Sequence, residues 1–421
     1  MNAPDPKRRR LLQAGLAAAL APLAGCKVPF TAEQGLFNSC LPANPALLDD
    51  PIVKAAWEGV RTDRVWDSHA HLFGNGRTKT GIWVSPEFDE PKMPGARLRR
   101  MMFANGGCAG TDEARMDLVM IERLKSLMAQ MPPGVKVMLL AFDFTYDESG
   151  KQRRDLTTFS ISNIYAERVA KSDPSRFEWI ASVHPYRDDA AEALAQAKAN
   201  GARAVKWLPP SMGIDLSHAK TRAFYDELRK NRMPLLVHLG EEQAVPGAER
   251  HEYANPLHIR HALDRGVRVI AAHCASLGTS PDLDVDRNAR KAPEVTNFSL
   301  FQRLMADKRY EGFLFGDISA VTQANRADVL PTILATREWH SRLLNGTDYP
   351  LPGIMPLFSV SGFVKAGLLD ESKVATIRSL RDVNALLFDF VLKRNLRYDG
   401  AAFPASVFET RPFFEADHGR A

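Results

Sequence analysis

The sequence predicts an α/β chain folded as a (β/α)8 TIM barrel, with an insert after the first strand and a C-terminal extension. From residue 60 onward, short apolar runs alternate with longer amphipathic stretches, and eight such runs can be identified. No G-x-G-x-x-G turn follows the first run, which weighs against a doubly wound open sheet. The 421 residues of the chain are enough for a barrel, since a barrel takes about 250 residues.

The eight predicted strands are short runs that carry apolar residues between turn residues. They are Arg64–His69, Val135–Phe142, Glu178–Val183, Ala202–Trp207, Pro234–His238, Val267–His273, Gly312–Gly316 and Arg342–Gly346. Helices are predicted between them at Asp112–Gln130, Ile161–Lys171, Ala190–Asn200, Thr221–Asn231 and Pro256–Arg265. Because the carboxyl ends of barrel strands meet at one face, polar residues at those ends are expected to lie close together.

The N-terminal segment has the pattern of an export signal. Arg8 to Arg10 resemble a twin-arginine motif, the uncharged stretch 11–25 has the length of a signal-peptide core, and Leu23–Cys26 resembles a bacterial lipobox. We therefore predict lipidation at Cys26 and a bacterial cell-envelope or periplasmic location, with the membrane reached only through the lipid anchor. The predicted divisions are 1–25 (signal peptide), 26–60 (N-terminal extension), 61–398 (barrel) and 399–421 (C-terminal extension).

The charge of the chain gives no reason to propose a nucleic-acid partner. The formal charge is +5, and residues 1–25 hold four positive charges and one negative charge, so their removal leaves +2. A nucleic-acid binder needs a basic face, which so small a charge does not indicate. We expect a small-molecule substrate, and the sequence leaves the oligomeric state open.

Three cysteines follow the lipobox cysteine. Cys274 lies in an apolar run and is predicted to be a packed core thiol. Cys40 and Cys108 lie in loop-like segments and could pair in an oxidising compartment, but the sequence leaves this pairing open.

Ligand-type residues end five of the predicted elements. His69 and His71 lie on the same side of the first strand, because side chains alternate along a strand. The others, each at or just after the end of a different apolar run, are Lys206, His238, His273 and Asp348. Buried imidazoles, amines and carboxylates are costly unless they are paired, and a divalent cation is a suitable partner. The pattern therefore predicts a metal site at the mouth of the barrel.

Other polar residues near strand ends support weaker predictions. His184 ends the third strand and either contacts substrate or only caps the strand. Asp143 and Asp317 follow the second and seventh strands, where each either supports a site residue or, as we favour, faces solvent. The loop after the fifth strand is expected to form a solvated face, with Glu241, Glu242, Arg250 and His251. The insert of residues 72–110 is long for a barrel loop, so it forms either a lid over the site or a packed excursion.

These motifs together resemble the amidohydrolase superfamily, in the branch called amidohydrolase-related or amidohydrolase type 2. The resemblance spans about Val65 to Leu392 and includes Val183–Pro185, Gly346–Pro350 and the late helix Asp382–Phe388. It implies one divalent metal on His69, His71 and Asp348, and a second metal or the substrate on His238 and His273. It also implies that Lys206 bridges two metals when it is carboxylated to N6-carboxylysine.

The resemblance implies a metal-dependent hydrolase of C–N, ester or lactone bonds, with Asp348 as the general acid and base for attack by a metal-activated water. A decarboxylase or other lyase of the same branch, with a single metal, is the alternative. A non-catalytic envelope binding protein on a barrel scaffold is a third hypothesis. The metal is expected to be zinc, and the sequence leaves open the substrate and whether one or two ions bind.

Overall fold

The computed structural model describes residues 31, 33–110 and 112–415, so the predicted signal peptide and Cys26 lie outside the described residues. The strands, in chain order from β1 to β12, are Trp66–His71, Ile82–Val84, Lys136–Leu140, Phe159–Ile161, Phe177–Ile180, Val205–Trp207, Leu235–His238, Val269–Ala272, Thr279–Pro281, Glu294–Thr296, Leu314–Asp317 and Leu343–Leu344. Within the described part of the chain, no helix is both long enough and apolar enough to cross a membrane.

Eight parallel strands close into a ring. Strands β1, β3 and β5 pair in that order, and β6, β7, β8, β11 and β12 pair in a second parallel group. Ala181, just after β5, forms a parallel bridge with Val205 of β6. On the other side, the backbone N–H of Ser68 in β1 donates to the carbonyl of Asn345, just after β12, at 3.0 Å. The predicted barrel is therefore confirmed.

Helices and short helical turns connect the strands and cover the outside of the ring. The α-helices are Pro45–Leu48, Pro51–Trp57, Pro86–Asp89, Pro94–Gly106, Met116–Ala129, Asn163–Ser172, Ala190–Ala199, Pro209–Met212, Ala219–Lys230, Arg260–Leu263, Asn297–Ala306, Leu330–Ala335, Val360–Lys365, Val374–Val383, Ala385–Asn395, Ala405–Phe408 and Arg411–Glu415. The 3₁₀ turns are Thr62–Arg64, Arg154–Leu156, His251–Ala254, Pro256–Ile259, His273–Ala275, Lys308–Tyr310, Ala327–Val329, Arg337–Arg342, Leu351–Gly353, Met355–Leu357 and Glu371–Lys373.

Two antiparallel pairs add to the eight predicted strands. Strand β2 of the insert pairs with β4, and β9 pairs with β10. The predicted helix Ile161–Lys171 therefore starts later, at Asn163, because Ile161 belongs to β4. Ser162 caps this helix, its side chain accepting a hydrogen bond from the backbone N–H of Tyr165.

The inside of the barrel is packed with apolar side chains. Along β3, Met138 and Leu140 point into the ring, whereas Val137 and Leu139 belong to the larger core between the strands and the outer helices. At these positions of β3 the inside of the ring is therefore apolar.

The C-terminal residues reach the amino-terminal ends of the strands. The hydroxyl of Thr410 donates to the carbonyl of Trp66, the first residue of β1. Phe414 joins the core inside the ring, and Phe413 packs edge-on against Phe315, with 4.6 Å between ring centroids. The tail therefore covers the end of the barrel opposite to the strand carboxyl ends.

The cysteines divide as the sequence suggests. Cys40 and Cys108 form a disulfide that joins the segment before the barrel to the end of the insert. Cys274 is free and buried, which confirms the prediction of a core thiol. The disulfide fixes the C-terminal end of helix Pro94–Gly106, and this helix contributes to the site described below.

A buried ion pair supports the loop after β12. Asp389 and Lys393 lie one turn apart on helix Ala385–Asn395, with Lys393 Nζ 2.6 Å from Asp389 Oδ2 and both side chains fully buried. Lys393 Nζ also donates to the carbonyl of Gly346 at 2.7 Å. Gly346 precedes Asp348 by two residues, so this lysine helps to hold the loop that carries Asp348.

Candidate metal centre

The residues predicted from strand ends meet in one cavity at the carboxyl ends of the barrel strands. His69 and His71 belong to β1, Lys206 to β6 and His238 to β7, whereas His273 directly follows β8 and Asp348 lies four residues after β12. All six line the same cavity. Apart from His71, which is partly exposed, they are buried.

His69, His273 and Asp348 could hold a metal ion, because one ligand atom from each lies within 4.8 Å of the other two. His69 Nε2 is 3.4 Å from Asp348 Oδ1, and His273 Nε2 is 3.8 Å from Asp348 Oδ2. His71 Nε2 lies 3.1 Å from Asp348 Oδ1, so it can join the same set. Imidazole nitrogens and carboxylate oxygens are ordinary ligands of zinc and of other transition metals.

Hydrogen bonds determine which nitrogen of each ring faces this set. His69 Nδ1 donates to Asp317 Oδ2 at 2.7 Å, and His273 Nδ1 donates to Ser319 Oγ at 2.8 Å. Each imidazole therefore directs the lone pair of Nε2 toward Asp348, as a metal ligand requires. The Ser319 hydroxyl in turn donates to Asp317, which links the supports of the two rings. The expectation that Asp317 faces solvent is wrong, because its side chain is fully buried.

The backbone bends sharply at two of these residues. His273 and the next two residues, Cys274 and Ala275, have φ values of 55°, 50° and 50°, and Asp348 has a φ of 59°. Non-glycine residues rarely adopt this left-handed region, and each costs about 1–3 kcal/mol unless its surroundings enforce it. Two hydrogen bonds enforce it here: the N–H of His273 donates to Asp317 Oδ1 at 3.2 Å, and that of Asp348 to the carbonyl of His69 at 2.7 Å.

Burial and neighbouring groups determine the protonation states at the site. Burial lowers the pKa of His273 to about 3 and that of His238 well below its ordinary value, so both rings are neutral at neutral pH. Burial alone would raise the pKa of Asp348, but attraction to His69 and His273 and a hydrogen bond from His71 bring this pKa well below its ordinary value. The cluster therefore offers a carboxylate and neutral imidazoles, which are the forms that bind a cation.

Lys206 lies beside the imidazole of His69. Its Nζ is 3.2 Å from His69 Nε2, and the residue is 2% exposed. Burial lowers the pKa of Lys206 to about 8, so a fraction of the side chain is a neutral amine at neutral pH. The neutral amine is the form that reacts with carbon dioxide to give a carbamate. As an ammonium, Lys206 would instead compete with a metal ion for the lone pair of His69.

Glu242 is a site residue that the sequence did not indicate. Its carboxylate is buried rather than solvated as expected, and Oε2 lies 3.3 Å from His238 Nε2. The backbone N–H groups of Ala244 and Val245 donate to Oε1 at 2.6 and 2.7 Å. The contact of His238 Nε2 with Glu242 lacks the geometry of a hydrogen bond, so this buried nitrogen has no hydrogen-bond partner and fits a cation or a substrate atom. The only sequence signal for Glu242 is its spacing of four residues from His238.

Residues 66–353 match the sequence profile of a known family, the amidohydrolases. This protein belongs to the amidohydrolase family. The matched span contains every residue of the candidate metal centre described above. No curated protein matches the sequence of this amidohydrolase.

Solved structures similar to this amidohydrolase include a TIM-barrel protein of Bordetella bronchiseptica, described as uncharacterized. It is 16% identical, with 72% of this chain and 90% of that chain covered and a TM-score of 0.45. The IDCase of Metarhizium anisopliae is 12% identical, with coverage of 85% and 97% and a TM-score of 0.44. The 5-carboxyvanillate decarboxylase of Novosphingobium aromaticivorans, complexed with manganese, is 11% identical, with coverage of 77% and 92% and a TM-score of 0.40.

His184 of this amidohydrolase is not among the residues that line the cavity of the candidate metal centre. Its Nε2 is 3.0 Å from the carbonyl of Met212, and its Nδ1 accepts from the backbone N–H of Tyr186 at 3.2 Å. Both ring nitrogens are thus used by the backbone, which favours the hypothesis that His184 only positions the end of its strand. Asp143, expected in solvent, is buried and accepts from the N–H of His184 at 2.9 Å.

The cavity of this amidohydrolase has an aromatic side and a polar side. The phenylalanines on the aromatic side are Phe73, Phe88, Phe103 and Phe159, the first three of which belong to the insert. The polar side is formed after β11 and β7, and its lining residues include Gln243, Gln323, Asn325 and Arg326. Since the insert supplies most of the aromatic side, it covers the candidate metal centre as a lid would.

Proposed function

We propose that this amidohydrolase is a metal-dependent hydrolase of C–N, ester or lactone bonds. The observation that carries the proposal is the set of His69, His273 and Asp348, whose ligand atoms lie within 4.8 Å of one another, with Nε2 of each ring directed inward by buried hydrogen bonds. A divalent cation, expected to be zinc, polarises the bond under attack and lowers the pKa of a coordinated water. His71 and His238 complete the proposed ligand or substrate contacts.

Asp348 is proposed to move the proton in this reaction. Its lowered pKa keeps the carboxylate ionised at neutral pH, so it can accept a proton from the attacking water. The same oxygen can then donate this proton to the leaving nitrogen or oxygen.

His238 and the phenylalanines are proposed to orient the substrate. The unpartnered Nε2 of His238 can bind a substrate oxygen, or a second cation if Lys206 is carboxylated. The aromatic side of the cavity excludes water and suits a planar or apolar part of the substrate.

A lyase with one metal is the second candidate, and one distance favours it. Lys206 Nζ lies 3.2 Å from His69 Nε2, where an ammonium would repel a metal held by His69 and His71 unless the lysine swings aside. An uncarboxylated Lys206 therefore fits a site with one metal, in which the lysine orients a carboxylate of the substrate.

The number of metal ions bound per chain decides between the two-metal hydrolase and the one-metal lyase. With zinc and bicarbonate, we expect close to two ions per wild-type chain and one or none in Lys206→Ala, because the carbamate would supply two oxygens for two ions about 3.5–4 Å apart. Lys230→Ala, which removes an exposed lysine, should keep the wild-type count. One ion in both the wild type and Lys206→Ala would contradict the two-metal site and put the lyase first.

The reaction itself is tested by a screen of the metal-loaded protein. We expect hydrolysis of at least one class among amides, lactones and esters, detected as a new acid, alcohol or amine. Release of carbon dioxide from aromatic carboxylates without hydrolysis would replace the hydrolase by the decarboxylase. Absence of bound metal together with absence of any turnover would favour the envelope binding protein.

We also propose that the mature protein is exported and anchored at Cys26. The pairing of Cys40 with Cys108 supports this location, because disulfides persist in oxidising compartments. Cys26→Ser should abolish incorporation of labelled fatty acid and leave an uncleaved precursor or a soluble form. Lysines in place of Arg8 to Arg10 keep the charge and should retain the precursor in the cytoplasm, because they remove the twin-arginine motif. Normal lipidation of Cys26→Ser would refute the anchor.

A further inference from the structure

Arg326 is a buried cation on the polar side of the cavity. It lies in the loop after β11 and lines the same cavity as His238, His273 and Asp348. The residue is 6% exposed, and its Nε is buried without a hydrogen-bond partner. Its NH1 donates to the hydroxyl of Ser276 at 3.2 Å, which is a neutral acceptor.

Arg326 has no direct ion-pair partner among the described residues, although Glu242, Asp348, Asp317 and Glu241 attract its charge from farther away. Among residues 31, 33–110 and 112–415, no carboxylate oxygen lies within 4.0 Å of its guanidinium. Glu242 shares the cavity, but its Oε1 is held by two backbone N–H groups and its Oε2 faces His238. A buried charge is costly without a partner of opposite sign, so the missing partner is expected to be an anion from outside the chain.

We propose that Arg326 forms a carboxylate-binding subsite, and that the substrate is an amide, ester or lactone carrying a carboxylate group that pairs with this arginine. The substrate class rests on the proposed hydrolase, whereas the subsite itself does not. The guanidinium offers several N–H groups in one plane, which match the two oxygens of a carboxylate. Gln323 and Asn325, in the same loop, line the cavity next to it and can add amide contacts.

The aromatic side of the cavity adds a second requirement. Phe103 and Leu351 line both the side next to Arg326 and the side next to the metal cluster, so the two sides are continuous. A substrate whose carboxylate meets Arg326 can therefore place an apolar body against Phe103 while its reacting bond lies near Asp348. Benzoate, which joins a carboxylate to a planar apolar ring, is a suitable probe of this arrangement.

The test is calorimetric titration of the full chain, stripped of metal by a chelator, with benzoate and with benzamide as its neutral counterpart. Loss of one charge-assisted pair predicts that Arg326→Met binds benzoate roughly 10–100-fold more weakly than the wild type. Arg326→Lys, which keeps the charge, should bind benzoate with an affinity between those of the wild type and Arg326→Met. Benzamide should bind the wild type and both variants with equal affinity. Arg154→Met removes a cation from the neighbouring cavity and should leave benzoate affinity unchanged.

Equal benzoate affinity of the wild type and Arg326→Met would overturn the subsite. The subsite would also be overturned if Lys206→Ala lost as much benzoate affinity as is expected for Arg326→Met. If Arg326→Met does not fold, the comparison of Arg326→Lys with the wild type decides in the same way. Because metal and turnover are absent from the assay, benzoate binding through Arg326 stands even if the chain proves not to be a hydrolase. Conversely, hydrolysis of neutral substrates only, with no dependence on Arg326, would keep the hydrolase and remove the subsite.

Discussion

Asp348→Asn should lower turnover by roughly 10²–10⁴-fold while the fold is retained, because the amide cannot accept the proton that the carboxylate accepts. The side chain keeps its shape, but the negative charge beside His69, His71 and His273 is lost. The measurement is kcat on the substrate found in the screen, with zinc content and thermal unfolding recorded for the same samples. Weaker metal binding is expected as well, since one anionic ligand is removed.

Asp188→Asn is the matched control for this variant. It makes the same chemical change at a side chain that is 86% exposed, so kcat and zinc content should remain at the wild-type level. Near-normal turnover of Asp348→Asn with metal bound would show that another group moves the proton.

Lys393→Met should lower the free energy of unfolding by about 3–5 kcal/mol, the usual effect of breaking a buried ion pair. The change leaves Asp389 buried without its ammonium, and it leaves the carbonyl of Gly346 without its donor. Burial already raises the pKa of Asp389 to about 7, although Lys393 opposes this. In the variant, Lys393 no longer lowers the pKa of Asp389, so Asp389 should keep its proton to a still higher pH in the folded state.

The sign of the pH dependence follows from that proton. The folded variant binds a proton at Asp389 that the unfolded chain releases above about pH 4, so its stability should fall as pH rises toward and through the folded pKa. Urea unfolding at pH 5 and pH 8 measures this, and the deficit should be larger at pH 8. A deficit that shrinks at pH 8 would contradict the role given to Asp389.

A surface pair with the same spacing provides the control. Lys171 and Glu167 also lie four residues apart, with 2.6 Å between Nζ and Oε1, but Lys171 is 63% exposed. Lys171→Met should change stability by no more than about 0.5 kcal/mol, because solvent screens an exposed pair. Replacing Lys393 by Met and Asp389 by Leu together should recover much of the loss, since no unpaired charge then remains.

The strand-end residues of the metal centre were predictable because their signal is local. An apolar run that ends in His238 or His273 predicts both the strand and the place where it stops, and a parallel barrel brings such ends together. Asp317 was also at a strand end, but its contact with His69 joins residues 248 positions apart, and no short window of sequence contains both. Its burial therefore became visible only in the folded chain.

Glu242 and Arg326 were hidden for a different reason. Glu242 lies between Glu241 and Gln243, and Arg326 follows Asn325, in loops where most charged residues face solvent. Only the folded loops show that these two face the cavity. The disulfide is similar, because the sequence shows that Cys40 and Cys108 are suitable for pairing but not that they are adjacent.

The C-terminal tail affects how the protein can be attached to a surface. Phe413 and Phe414 pack at the amino-terminal ends of the strands, and Arg268, just before β8, donates to the carbonyl of Phe413 at 3.0 Å. The described chain therefore ends on the opposite side of the barrel from the metal cluster. A support coupled beyond Glu415 would hold the molecule with its cavity facing the liquid, whereas coupling through the insert would place the support beside the cavity that the insert lines.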